Sequence, residues 1–271
     1  MHAQVTQLTH REQVGPHHHL LTFASPEIAA AARPGQFVHL RLSEGADTLL
    51  RRPFSVMSVN PTRASFQVLV RTVGRGTQML AQSQPGNEYH IIGPLGNGFG
   101  VPGPDGEVVL VAGGVGVAPL IFLASALRAP NTYRYVRGLL GARSEEDLAC
   151  WLEFSGLCDE FIVATEDGSA GEQGLITEFL PPQLERGAGC VYACGPSPML
   201  AEVARQCQTR AVPCFVSMEQ WMGCGVGACL GCVIPTLAPG ADRYQRVCKD
   251  GPVFDASIID WEAVGCGCVP G

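Results

Sequence analysis

The sequence predicts a multidomain α+β and α/β protein: an N-terminal antiparallel β-barrel, a doubly wound parallel α/β domain, and a C-terminal cysteine-rich loop segment. Three observations carry that prediction. Short β-rich runs fill the first hundred residues, strand-like and helical stretches alternate from residue 107, and regular periodicity yields to glycine and cysteine after residue 218. A chain of 271 residues is long enough for two domains and an appendage. The divisions are expected at 1–101, 102–216 and 217–271, the first inside the Gly/Pro-rich stretch 96–107.

In the first part the runs "HHHLLTFAS", "GQFVHLRL", "PFSVMSVN", "SFQVLVRTV" and "EYHIIGPLG" are bounded by Gly, Pro and Asn and leave no room for long helices. That spacing is barrel-like. His17, His18 and His19 are adjacent in one run, so alternate residues face opposite sides and a metal site is disfavoured against a solvated edge strand. Further on, "EVVLVA", "YRYVRGLLG", "EFIVATED", "GCVYACG" and "PCFVSMEQ" read as strands, separated by helical stretches such as "APLIFLASALR" and "SPMLAEVARQCQ". Strands alternating with helices imply a parallel sheet. Residues 108–127 carry no charge, long enough to nominate a membrane span. Gly113, Gly114, Gly116 and Pro119 interrupt them, and strand–turn–helix is the better reading.

Composition narrows the function classes. The net charge of −7 comes without a basic run, which argues against nucleic acid and anionic membrane. The first residues contain no apolar h-region, so no secretory signal is expected. Twelve clustered cysteines in a long chain suit a reducing compartment with a metal or redox site better than a disulfide framework.

The spacing Cys224-x4-Cys229-x2-Cys232 reproduces the plant-type pattern for a [2Fe–2S] cluster, which needs a distant fourth thiolate. Cys248 supplies it; Cys266 and Cys268 in the tail are rival candidates. The interspersed glycines allow the tight turns that aim N–H groups at sulfur. Structural zinc is the main alternative, although it usually takes two close Cys pairs. "AGGVGVAPL" (112–120) is a Gly-rich turn between strand and helix, able to bring backbone N–H groups to a pyrophosphate. "ACGPSPML" (193–200) repeats the design and should lie beside it at the carboxyl edge of the sheet. "ATEDGSAGEQG" (164–174) adds a third loop, with Glu166 and Asp167 available to a ribose or simply solvated. "RRPFSV" (51–56) with "RGT" (75–77) can hold an anionic cofactor and a flavin edge, or be ordinary strand packing. No nucleophile elbow, His-Glu-x-x-His pair or Walker lysine appears, so no catalytic side chain is nominated. A hydride-and-electron carrier needs none.

Taken in order, Arg-Pro-Phe-Ser, Gly-Thr, Gly-Gly-Val-Gly-Val-Ala-Pro, Cys-Gly-Pro and the cysteine loop resemble the ferredoxin-reductase superfamily. "MEQWMGCGVGACLGCVIP" with "RVCKDGPVFDA" is similar to the electron-transfer subunits of type B dihydroorotate dehydrogenase, over roughly residues 4–260. That resemblance implies an FAD-binding barrel, a nicotinamide-nucleotide domain and a [2Fe–2S] segment. It also implies a cytoplasmic heterotetramer, two plus two, with an FMN-containing catalytic subunit of pyrimidine synthesis. It implies that Arg52, Pro53, Phe54 and Ser55 line the isoalloxazine and ribityl part of FAD, that Leu69, Val70 and Arg71 contact its other side, and that Gly76 and Thr77 meet its diphosphate. Gly114, Gly116, Cys194, Gly195 and Pro196 should place the nicotinamide of NAD(H), and Cys224, Cys229, Cys232 and Cys248 should ligate the cluster. Two features depart from the family pattern: the bulky Trp221 before the first cysteine, and the tail "GCGCVPG". Flavin/iron–sulfur subunits of sulfide dehydrogenase, hydrogenase or transhydrogenase complexes share the same parts and form the first rival reading. A redox-sensing module and a zinc-stabilised domain are the others.

Overall fold

The computed structural model describes residues 1–42, 49–100, 107–129 and 134–265. The first six strands close into an antiparallel barrel. They are β1 (His2–Gly15), β2 (His18–Ala24), β3 (Phe37–Arg41), β4 (Arg52–Asn60), β5 (Ser65–Arg71) and β6 (Glu88–Leu95), in the order β1-β2-β5-β4-β3-β6 with β6 returning to β1. Two short helices, α1 (Pro26–Ala31) and α2 (Arg75–Ala81), fill the connections. Ser25 starts α1 by accepting a hydrogen bond from the Ile28 N–H at 3.1 Å, with proline at the first helical position, where a missing N–H costs nothing. Alternation sets the inside: Val38, Leu40, Val56, Phe66, Val68 and Val70 form the barrel core with Leu8, Leu21 and Phe23.

Sequence reasoning differs from the structure at β1 and β2. The fourteen-residue β1 was not among the expected runs, because its polar sequence buries only Thr6 and Leu8. β2 is no solvated edge strand. Closure of the barrel gives it neighbours on both sides, and His18 and His19 are 0% and 7% exposed.

Six strands of a seven-stranded sheet follow, β7 (Glu107–Gly113), β8 (Val136–Ala142), β9 (Glu160–Thr165), β10 (Glu172–Gln173), β11 (Ala188–Cys194) and β12 (Cys214–Ser217), in the order β10-β9-β8-β7-β11-β12. These pair in parallel, as the alternation with α3 (Val117–Leu127), α4 (Trp151–Gly156), α5 (Leu180–Glu185) and α6 (Ser197–Thr209) requires. The uncharged run 108–127 is β7, a tight turn and α3, and no helix among the described residues is long and apolar enough to cross a membrane. α3 is apolar over most of its surface because most of it is covered: Ser125 is exposed and Ala126 half-buried, while its other residues pack under the sheet and Phe122 joins the barrel core. Each buried Val, Leu or Ile contributes about 1.5–3 kcal/mol over its exposed state, so this helix fastens barrel to sheet.

The C-terminal segment carries the hairpin β13 (Val233–Pro235) and β14 (Tyr244–Arg246), then β15 (Val253–Asp255) and α7 (Trp261–Gly265). β15 pairs antiparallel with β12, so the expected all-parallel sheet has one reversed edge strand contributed by the cysteine segment. The expected division at residues 101 and 102 and the rival thiols Cys266 and Cys268 lie outside the described residues.

Candidate functional site

The cysteine loop shows its chemistry in where its N–H groups point. Val226, Ala228 and Cys229 N–H face the Cys224 sulfur at 3.4, 3.2 and 3.4 Å. Gly227 N–H faces Cys248 Sγ at 3.1 Å, and Cys248 N–H faces Cys232 Sγ at 3.4 Å. Gly225 and Gly227 reach this arrangement with φ of +71° and +82°, a region that favours glycine. Arg246 holds the loop from behind: its Nη1 donates to the Gly227 carbonyl at 3.1 Å, and its guanidinium pairs with both oxygens of Asp250 at 2.8 and 2.9 Å.

The four thiols come together as two pairs, Cys224 with Cys229 and Cys232 with Cys248, close enough for Cys224 to act electrostatically on Cys248. Two pairs of thiols supplied with backbone N–H donors are the kind of donor set a two-iron cluster takes. Burial pushes the Cys224 thiol up, but the N–H groups of Val226, Cys229 and Ala228, with the Cys229 side chain, outweigh it and bring the pKa to about 6. Cys248 is pushed up to about 12, first by burial and then by the Cys232 thiol. Iron binding would therefore have to displace its proton.

The loop rests on the barrel at two places. His39 of β3 is 0% exposed, and Gly225 lies so close that a Cβ there would collide with the imidazole. Burial first, and then Arg51, lowers the His39 pKa to about 4. At the other place the Asn97 amide donates to the Lys249 and Asp250 carbonyls at 3.2 and 3.0 Å, and its own N–H donates to Gly251 O at 2.6 Å. Neither contact was legible in the sequence. Arg246 and Asp250 were the exception in principle, since a four-residue spacing around Cys248 suggests an ion pair.

Arg52, Pro53, Phe54 and Ser55 form a half-buried strip on β4, open enough to line a flavin. Gly76 stands beside them: an added Cβ would lie 2.6 Å from Leu42 and 4.0 Å from Arg52 Nε. Thr77 spends its hydroxyl on the start of α2, accepting from Val73 and Gly74 N–H at 2.9 and 3.1 Å. Val70 points wholly into the barrel core, which leaves its backbone to meet a ligand, whereas Leu69 faces the junction with the sheet. Arg71 ion-pairs with Asp147 at 2.7 Å, across from barrel to sheet.

At the carboxyl edge the two Gly turns meet, as the sequence suggested. A Cβ on Gly195 would lie 3.0 Å from Gly113, and one on Gly116 would strike the Cys194 carbonyl. Gly114, with φ +53°, has open space where its side chain would be, so it is the position that can admit a ligand. Cys194 is 2% exposed, and burial raises its pKa. Asp167 is occupied by Ser169, accepting from its N–H at 2.9 Å and its hydroxyl at 2.6 Å, which favours the local-turn reading. Sequence reasoning missed Glu219, which acts electrostatically on Cys194 and whose carboxyl is raised by desolvation. The residue is exposed at the surface.

Comparison with known proteins follows the same three-part division. An iron–sulfur cluster binding domain of dihydroorotate dehydrogenase B matches residues 219–260, an oxidoreductase FAD-binding domain matches 5–99, and an oxidoreductase NAD-binding domain matches 110–205. The chain is 40% identical over 250 residues to the dihydroorotate dehydrogenase B (NAD(+)) electron transfer subunit of Desulforamulus reducens, covering 92% of this chain and 95% of that one. Its counterpart in Bacillus caldolyticus is 41% identical over 245 residues, at 88% and 91% coverage. Among solved structures, one of an NADH-dependent reduced ferredoxin-NADP oxidoreductase superposes with a TM-score of 0.84 at 30% identity, covering 97% of this chain and 92% of that one. The CS-b5R domains of human Ncb5or share the fold alone, at a TM-score of 0.67 and 20% identity over 77% of this chain and 66% of that one.

Proposed function

The chain belongs to the electron-transfer subunits of NAD-dependent dihydroorotate dehydrogenase B, and from that premise we propose how its residues divide the work. It is an oxidoreductase subunit with FAD-, NAD- and [2Fe–2S]-binding parts, serving pyrimidine synthesis beside a catalytic partner subunit. The finer reading is a cytoplasmic heterotetramer of two plus two, in which the partner oxidises dihydroorotate on FMN. When bound, the cluster supplies one-electron transfer, FAD joins one- and two-electron chemistry, and NAD⁺ accepts the hydride.

The observation that carries this reading is the loop itself, with two thiol pairs and the backbone N–H groups turned toward sulfur. Cys224, Cys229, Cys232 and Cys248 would hold the cluster. Arg52, Pro53, Phe54 and Ser55 would line the flavin, with Leu69, Val70 and Arg71 on its other side and the Gly76-Thr77 turn at its diphosphate. Gly114 and Gly116, with the Cys194-Gly195-Pro196 turn, would seat the nicotinamide. The N–H groups stabilise negative charge on sulfur, and the half-buried β4 strip excludes water from one side of the flavin.

The test is dihydroorotate-dependent NAD⁺ reduction by the complex isolated from its own cells. Cys229→Ser should abolish that activity and leave the partner's dye-linked oxidation intact; loss of both would count against the relay. The 0.84 likeness to the ferredoxin-NADP oxidoreductase favours one second reading, a subunit of another redox complex. Reduction by NADH with indifference to dihydroorotate would select it.

A further inference from the structure

His39 has no place in the division of work above, yet it lies where the barrel meets the cysteine loop. On β3, Val38 and Leu40 turn into the barrel core, while Phe37 belongs to the other core, the one shared with the sheet and the cysteine segment. His39 shares the outward face of Phe37. Its strand partner on β4 is Pro53, so His39 and the strip Arg52–Ser55 stand on adjacent strands, whose backbones are ~4.8 Å apart. Its other side is Gly225, whose positive φ and missing Cβ let the loop backbone settle on the imidazole, with ring carbons 3.0 Å from where a Cβ would sit.

Packing alone does not explain a histidine here. The ring is fully buried, and neither nitrogen makes a hydrogen bond of full geometry, although the backbones of Cys224 and Arg51 lie beside it. Buried polar groups are ordinarily paired, and an apolar side chain would fill the space at less cost. Nor is the ring needed to keep the loop attached, because Asn97 tethers Lys249, Asp250 and Gly251 independently.

We infer that His39 is a positioning residue of the flavin–cluster junction: its imidazole sets the separation between the β4 strip and the backbone at Cys224–Gly225, and offers that backbone a polar group. This rests on the cluster and flavin assignments above. The ring is a spacer with a dipole, set between the two elements assigned to the cofactors. Its loss would let the loop approach or admit water, and the potential of an iron–sulfur cluster follows solvent exposure and nearby hydrogen bonds.

The experiment uses the complete complex with His39→Leu and His39→Gln. The readouts are the cluster's electron paramagnetic resonance spectrum and midpoint potential, and stopped-flow reduction by NADH with flavin and cluster followed in one trace. His39→Leu should shift the potential and slow the cluster step relative to the flavin step by about tenfold or more, the usual scale for losing a group that supports a metal ligand. His39→Gln, which restores a polar group, should recover most of both. A His39→Leu complex that matches wild type in potential and in the ratio of the two steps overturns the inference. So does equal impairment of both variants, which would assign the site to shape alone. If His39→Leu fails to retain a cluster, His39→Gln decides: a wild-type potential supports the inference, and loss of the cluster there too overturns it. A wild-type complex without a [2Fe–2S] signature would instead sink the parent reading.

Discussion

Two regions of this molecule are rich in glycine, and they use it for opposite reasons. In the cysteine loop, Gly225 and Gly227 are needed first for backbone conformation, because positive φ turns successive N–H groups toward sulfur, and Gly225 also for its approach to His39. At the nucleotide edge, Gly113, Gly116 and Gly195 are needed for contact, because two strand–helix turns approach until a Cβ would meet the neighbouring backbone or the Met199 side chain. Only Gly114 at that edge combines a positive φ with open space. Glycine content in a sequence therefore reports that something is close or turned, without saying which.

The contrast can be broken by substitution. The largest effect should come from Gly116→Ala, whose new methyl meets the Cys194 carbonyl with nothing flexible to give way. Overpacking of this kind costs about 1–3 kcal/mol. NADH reduction of the flavin should fall sharply while iron content per chain stays near wild type; an unchanged hydride step would refute the contact role. Gly227→Ala should act in the opposite pattern. Its φ of +82° costs a side chain about 1–2 kcal/mol, and the Lys249 stem is also close. Here iron content and the visible spectrum of the cluster should decline while flavin reduction by NADH holds. Parallel losses in both assays would erase the distinction.

The smallest effect comes from a region outside both, and it provides the baseline. His18 is buried in β2 beside Arg71, Asp147, His17 and His19, and burial lowers its pKa from 6.5 to about 4. The unfolded chain therefore binds this proton more readily than the folded one, and stability falls as pH drops from 6.5 toward about 4. Thermal midpoints measured across that window should decline for wild type and decline less steeply for His18→Asn, in which His39 still contributes a slope of the same sign. A slope indifferent to the substitution would place the acid sensitivity elsewhere.

What the sequence made legible was local. Cys224, Cys229 and Cys232 announce themselves because a cluster loop fixes its spacing within a few residues, and the strand–turn–helix of 108–127 because its glycines interrupt an apolar run. What stayed hidden depends on distant partners. β1 was missed because its polar residues face solvent from a closed barrel, and closure is a property of six strands together. His39 and Asn97 carry no motif; their roles exist only because residues near 225 and 250 return to them. Thr77 and Arg71 show a subtler limit, since the structure already uses the side chains that the resemblance gives to FAD.

The antiparallel strand β15 has a consequence for biosynthesis. It is the last strand among the described residues, it covers the outer edge of β12, and it follows Cys248 by only a few residues. A nascent chain that has not yet delivered this run leaves β12 as an open template for strand addition by other chains. A stop before Cys248 withholds the fourth thiol as well. Translation thus supplies competence to receive iron and protection against aggregation within a few consecutive residues, so a ribosome that stops before both releases a product with neither.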